Sequence, residues 1–187
     1  MRLLRPALGL LPGYVAALEQ GWSPDNVRKG VAAREELEEI FRDRNAYVER
    51  QVDLEAKGPP VTLPDGTKVA RIPGWRHWMW DGEFCGIINF RWQPGTAELP
   101  PHVLGHIGYA VVPWKRGRGY ATAALGAVLR EVPKELAYVE LTTDHENLAS
   151  QRVITANGGV LHEVFEKPEP FGGKSALRYR IHLREGS

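Results

Sequence analysis

The chain has 187 residues, 43% hydrophobic and 25% charged, with one cysteine and a formal net charge of +1. That length suits one domain with a real core, since such a domain buries about 70% of its unfolded surface, and the composition excludes disordered and collagen-like chains. The charge balance gives no reason to expect nucleic acid or an anionic membrane as the main partner, and a lone Cys85 excludes an internal disulfide and a thiolate zinc cluster.

A reducing, cytoplasmic compartment is the simplest expectation. Arg2 and Arg5 precede an apolar stretch as in a signal peptide, but Pro6, Pro12 and Gly13 interrupt it. No segment reaches the ~18 apolar residues of a membrane helix. Residues 2–5 suit a short strand and Pro12–Glu19 a short helix. From Ser23, with Pro24 at a first-turn position, the pattern predicts a long helical tract to about Glu55. Val31, Leu37, Ile40, Phe41, Tyr47, Val48, Val52 and Leu54 recur at helical spacing, with a plausible break at Asn45. Gly58-Pro59-Pro60 ends it, and Pro64-Asp65-Gly66 reads as a turn.

Residues 75–80 and 84–92 are aromatic and β-branched, and Asp81-Gly82 between them is a strong hairpin signal. Trp75, Trp78 and Trp80 read as hairpin packing rather than a base-stacking platform. Residues 93–104 suit an ordered loop. The second half alternates: strand 106–112, helix from about 119 to 131, strand 136–143, helix 146–156, then strands 160–166 and 175–183. Pro133 and Asn157-Gly158-Gly159 close the two helices. A hairpin, a βαβα unit and two final strands predict an α+β fold, a sheet flanked by helices.

The informative stretch is His106 through Ala121. A hydrophobic strand ends at Val112-Pro113, a basic glycine-rich turn follows, and an Ala- and Leu-rich helix begins at once. Such a turn aims unpaired N–H groups at one point, and the helix dipole adds positive potential, which suits an anionic diphosphate. Neither G-x-x-x-x-G-K-[ST] nor a complete G-x-G-x-x-G is present.

Arg116-x-x-Gly119-x-Ala121, placed after a strand ending in Val-x-Pro, resembles the acetyl-CoA motif of the Gcn5-related N-acetyltransferases (GNAT). Asn147-x-x-Ser150, opening the next helix, is similar to that family's second motif, and the resemblance is firm across residues 105–165. It implies a GNAT-like, mixed but mostly antiparallel sheet of about seven strands, with central strands splayed apart. It implies one N-acetyltransferase domain over 1–187, with a helical part at about 1–58 and an acetyl-CoA-binding core at about 70–184. Val111 and Val112 would face pantetheine with their backbone. Arg116, Gly117, Arg118, Gly119, Tyr120 and Ala121 would cradle the pyrophosphate. Asn147 and Ser150 would meet the pantetheine arm, although Asn147 or Asp144 could merely cap a helix.

The implied activity is acetyl-CoA-dependent transfer to a small-molecule or peptide amine, directly in a ternary complex, because no nucleophile is evident. The alternative is a non-catalytic acyl-CoA-binding or partner-binding module on the same fold. One departure bears on this choice: the family's usual general-acid tyrosine falls at Ile154, with Tyr109 and Tyr120 nearby in sequence, although tyrosines near such strands are more often core or lining residues than acids. His106, at the start of the cofactor strand and with an ordinary pKa of roughly 6.5, is the candidate base, although strand parity could place it in the core. Glu98, His102 and Asp144 are alternatives. His102 and His106 are four apart, but Gly105 and the strand reading argue against a metal pair, so no metal is expected. Ser150, His145 and Asp144 lack the G-x-S-x-G elbow of a hydrolase. A homodimer is left open.

Overall fold

The computed structural model describes residues 1–183. The end of the expected core, Arg184, and the last residues of the expected 1–187 domain lie outside the described residues. Strand β1 is Arg2–Leu4, followed by helices α1 (Leu11–Glu19), α2 (Lys29–Arg42) and α3 (Arg44–Glu49). Three two-residue strands come next: β2 (Val52–Asp53), β3 (Val61–Thr62) and β4 (Lys68–Val69). The hairpin is β5 (Gly74–Trp80) and β6 (Phe84–Arg91). After a long loop come β7 (Ile107–Val111), α4 (Tyr120–Leu129), β8 (Tyr138–Thr143), α5 (Leu148–Ala156), β9 (Val160–Glu166) and β10 (Ser175–His182).

The larger sheet runs β1-β5-β6-β7, with β2 also on β5; the second runs β8-β10-β9; β3 pairs with β4. Every ladder among the described residues is antiparallel. Alternation along β5 and β6 serves two cores. Trp78, Phe84 and Ile87 pack with Tyr14, Trp22, Ile40 and Tyr47 of the N-terminal helical layer. Met79, Ile88 and Phe90 pack with Leu125, Val128, Leu141 and Ile154 on the other face. Gly86 lies at φ +149, and a Cβ there would collide with the Ala110 carbonyl, so only glycine lets β7 approach β6 at this point. Among the described residues, no helix is long and apolar enough to cross a membrane.

The expected 23–55 tract is the main correction. Asp25 Oδ1 accepts from the amides of Val27 (2.7 Å) and Arg28 (2.8 Å), forming a local turn. Lys29 then sits at φ +42, a left-handed conformation that breaks any helix begun at Pro24. The later break is at Asp43, not Asn45, because the Asp43 carboxylate caps α3 by accepting from Ala46 N at 3.0 Å. The tract ends at Glu49, and Val52 pairs with Trp75 as a strand. Ile40 and Tyr47 are buried as the spacing required, but Val31, Phe41 and Leu54 are exposed.

Candidate functional site

Strands β7 and β8 meet at one point and then part. There His106 N donates to the Glu140 carbonyl (2.8 Å) and Glu140 N donates to His106 Nδ1 (2.9 Å). Beyond it the two strands belong to different sheets, leaving a V-shaped opening. A cleft of about 880 Å³ fills this V. Its walls are Ile107–Val111 and Leu141–Asp144, its mouth is the 113–122 turn, and the loop between α1 and α2 closes over it at Gly21–Val27.

The mouth is built to receive an anion. Gly117 and Gly119 adopt φ +74 and +73, and a Cβ at either would meet nothing within 4 Å. Gly119 caps α4 without a side chain, and the amides of residues 117–122 donate to no protein acceptor among the described residues. These donors and the helix dipole converge on open space, which fits a diphosphate.

The turn is held from behind by the hairpin. Asp81 accepts from Lys115 Nζ (3.0 Å) and from Tyr120 Oη (2.7 Å). Its carboxyl is held well below the usual range, first by the Tyr120 hydroxyl. Lys115 is also paired with Glu83 at 2.8 Å, so it is committed to the staple. Arg116 Nε reaches back to the Val111 carbonyl at 3.2 Å, while Arg118 remains half exposed.

The structure brings Val111, residues 116–121, Asn147 and Ser150 to one cleft. Asn147 caps α5, with Oδ1 accepting from Ser150 N at 3.1 Å, which leaves its NH₂ group for a ligand. Tyr109 also lines the cleft; its hydroxyl lies 2.8 Å from Ser150 Oγ and 3.3 Å from the Ser150 carbonyl. Burial pushes its pKa up to about 12. Asp144 lines the cleft too, paired with Lys167 at 2.6 Å.

Two expected residues are not brought there. Val112 is fully buried on the helical-layer side, and its amide donates to the Cys85 carbonyl at 3.0 Å. His106 is fully buried at the apex of the V, outside the cleft lining, and its Nδ1 already accepts a backbone N–H. Burial, and next the Arg91 charge, lower its pKa to about 4. The imidazole therefore stands in for a strand acceptor rather than reaching a substrate amine. Ile154 is buried in the core, packed against Gly159.

Sequence reasoning missed a polar cluster under the helical layer. The Glu36 carboxylate accepts from the hydroxyls of Tyr14 and Tyr47 and from Arg76 Nη1, the last at 3.2 Å. Arg76 Nε donates to Asn89 Oδ1 at 3.3 Å. Arg91 lies on the same face with a buried Nε that has no partner among the described residues. No motif links these positions, and only the strand register assembles them.

A family model described as an acetyltransferase (GNAT) domain matches residues 27–160. No curated relative matches the sequence. Among solved structures, the chain is similar to the ribosomal-protein α-N-acetyltransferase RimL in complex with coenzyme A (TM-score 0.62, 14% identity, 97% of this chain and 93% of that one). It is similar to the microcin self-immunity acetyltransferase MccE in complex with acetyl-CoA and AMP (TM-score 0.60, 16% identity, 97% and 91%). A chimera of the spermidine N-acetyltransferase SpeG from Vibrio cholerae gives TM-score 0.60 at 14% identity over 98% and 97% of the two chains. At these identities the likeness is one of fold.

Proposed function

The chain belongs to the GNAT acetyltransferases, and we propose that it moves an acetyl group from acetyl-CoA to a small-molecule or peptide amine by direct transfer in a ternary complex. The observation that carries this is the V between β7 and β8 opening onto an uncapped, glycine-lined ring of amides. The 117–122 amides would hold the diphosphate, with Arg116 and Arg118 adding positive potential. The free edge of β7 at Tyr109–Val111 would pair with the pantetheine amides, and Asn147 would donate from its side chain. The domain as a whole would act as one unit.

The protein's part in the chemistry is position and proton handling. The neutral amine nitrogen bonds to the thioester carbonyl carbon, the C–S bond breaks, and the departing sulfur takes a proton. Tyr109 is the donor that the geometry supports, since it lines the cleft and its hydroxyl, 2.8 Å from Ser150 Oγ, stays protonated at neutral pH. The amine gives its proton to water in the open cleft, because His106 is sealed in the sheet and already accepts a backbone N–H. Tyr109 thus takes the place of the acid missing at Ile154.

The test is CoA release on incubation with acetyl-CoA and a broad amine panel, followed by initial-rate kinetics. Intersecting double-reciprocal lines are expected. Parallel lines with a trapped acyl-enzyme would overturn direct transfer, and tight CoA binding without turnover on any amine would favour a binding module.

A further inference from the structure

Arg76, Asn89 and Gly108 form one rung across three strands: Arg76 pairs with Asn89, and Asn89 with Gly108. The rung ends at the cleft, because Gly108 is part of its wall. Arg91 lies two residues along the strand from Asn89, so it shares the same face. The side chains on this face are not equally satisfied. Arg76 is neutralised by Glu36 at 3.2 Å, and Asn89 Oδ1 is occupied by Arg76 Nε at 3.3 Å. The Asn89 NH₂ group is thereby turned the other way, toward Gly108.

Arg91 has no carboxylate within ion-pair reach among the described residues, and its Nε is buried without a partner. The cluster therefore holds two guanidinium groups and one carboxylate. Burial, and next the Arg76 charge, push the Arg91 pKa down, so its charge is held at a cost. A half-buried guanidinium with its Nε sealed and no carboxylate beside it is stabilised by any anion that meets it. Gly108 marks the nearest unfilled position. A Cβ built on it would lie 3.4 Å from Arg91 Nη2 and 3.5 Å from Asn89 Nδ2. Two N–H donors, one of them cationic, thus approach the Cβ position that Gly108 leaves empty, directly behind the stretch of cleft wall that Gly108 forms.

We propose that Arg91 and Asn89 bind an anionic group of the acceptor, so that the amine acetylated here carries a carboxylate or a phosphate. The inference rests on the acetyltransferase reading above and names its acceptor class. A guanidinium fork and an amide NH₂ match two oxygens of such a group, and its charge balances the second arginine. The thioester carbonyl would not balance it, since that group carries no net charge.

The experiment compares acceptors of similar size with the full chain and acetyl-CoA: β-alanine, 2-aminoethyl phosphate, neutral ethanolamine and dicationic 1,3-diaminopropane. Initial rates of CoA release give kcat/KM for each. At least one anionic acceptor should exceed ethanolamine by tenfold or more, and the carboxylate-to-phosphate ratio identifies the source of the anion. Arg91→Gln should bring the anionic-to-neutral ratio close to one, mainly through KM, and Arg91→Lys should retain part of it. If Arg91→Gln does not fold, the wild-type ratios decide, together with inhibition by propionate, which should compete with the amine and not with acetyl-CoA. Equal kcat/KM for anionic and neutral acceptors would overturn the proposal, as would an Arg91→Gln loss of the same size for every acceptor. Either result would leave acetyl transfer standing, whereas absence of both CoA binding and CoA release with every amine would overturn the two together.

Discussion

Replacing His106 separates two consequences of burying an imidazole at the apex of the V. Its pKa falls from an ordinary 6.5 to about 4, because burial, and next the Arg91 charge, disfavour the imidazolium. The folded state therefore binds its proton less readily than the unfolded chain. The cost is absent above about pH 7, grows as pH falls through 6.5, and is complete below pH 4. That displacement corresponds to about 3 kcal/mol, of which about 2 kcal/mol is lost already by pH 5. The His106→Asn substitution keeps an acceptor for the Glu140 amide but removes the titration. Chemical denaturation from pH 7 to pH 5 should show wild type losing about 2 kcal/mol relative to His106→Asn. His106→Ala should be less stable than His106→Asn at every pH, by roughly 1–3 kcal/mol for the orphaned Glu140 N–H alone. Parallel pH profiles for wild type and His106→Asn would refute the argument. So would a His106→Ala enzyme that folds normally yet loses turnover with unchanged CoA affinity, since that would return the base role to His106.

Gly119→Glu should abolish CoA binding in calorimetry by placing a bulky anion at the mouth, while Arg116→Ala should weaken it less, since much of the cradle is backbone. Unchanged affinity in a folded Gly119→Glu protein would refute the cradle. Tyr109→Phe should lower kcat by roughly 10²-fold or more with little change in CoA affinity; wild-type kcat would pass the proton to solvent. Asp81→Asn should weaken CoA binding by about tenfold, the low end for one charge-assisted hydrogen bond, without any direct contact with the ligand. Because the fold depresses the Asp81 pKa, the carboxylate stays ionised in the folded protein through the ordinary carboxylate range, and the fold stability it supplies is present above that range and is lost as pH falls through it toward the depressed value. Chemical denaturation of wild type and Asp81→Asn across that window would check the sign, with wild type losing its advantage as pH falls.

The cofactor half of the site was legible because its signals are local. A strand, two glycines at positive φ and a helix start lie within sixteen residues from 106 to 121, and each has its own chemical signature. The hairpin was equally plain from Asp81-Gly82. The acceptor half was not. Arg76, Asn89 and Arg91 share a face only through strand register, and Glu36 joins them only through the packing of α2 over it. Parity was the missing information for His106 too: its place at the strand start suited a base, but its ring turned into the sheet. The 23–55 tract failed because Lys29 adopts a left-handed backbone that its residue type does not advertise. Periodicity then assigned Val31 and Phe41 to a core they do not enter.

The Asp81 staple makes the phosphate turn hard to transplant. The turn's shape is written in residues 113–121, but its position is held by a carboxylate on a hairpin more than thirty residues earlier. A graft of 105–165 onto another scaffold would carry the glycines and the helix and leave behind the part that aims them. The same tie makes coenzyme retention an audit of strand alignment. A one-residue slip between β5 and β6 would carry Asp81 away from Tyr120, so a misregistered chain would fail on a CoA resin even where its circular dichroism looked normal.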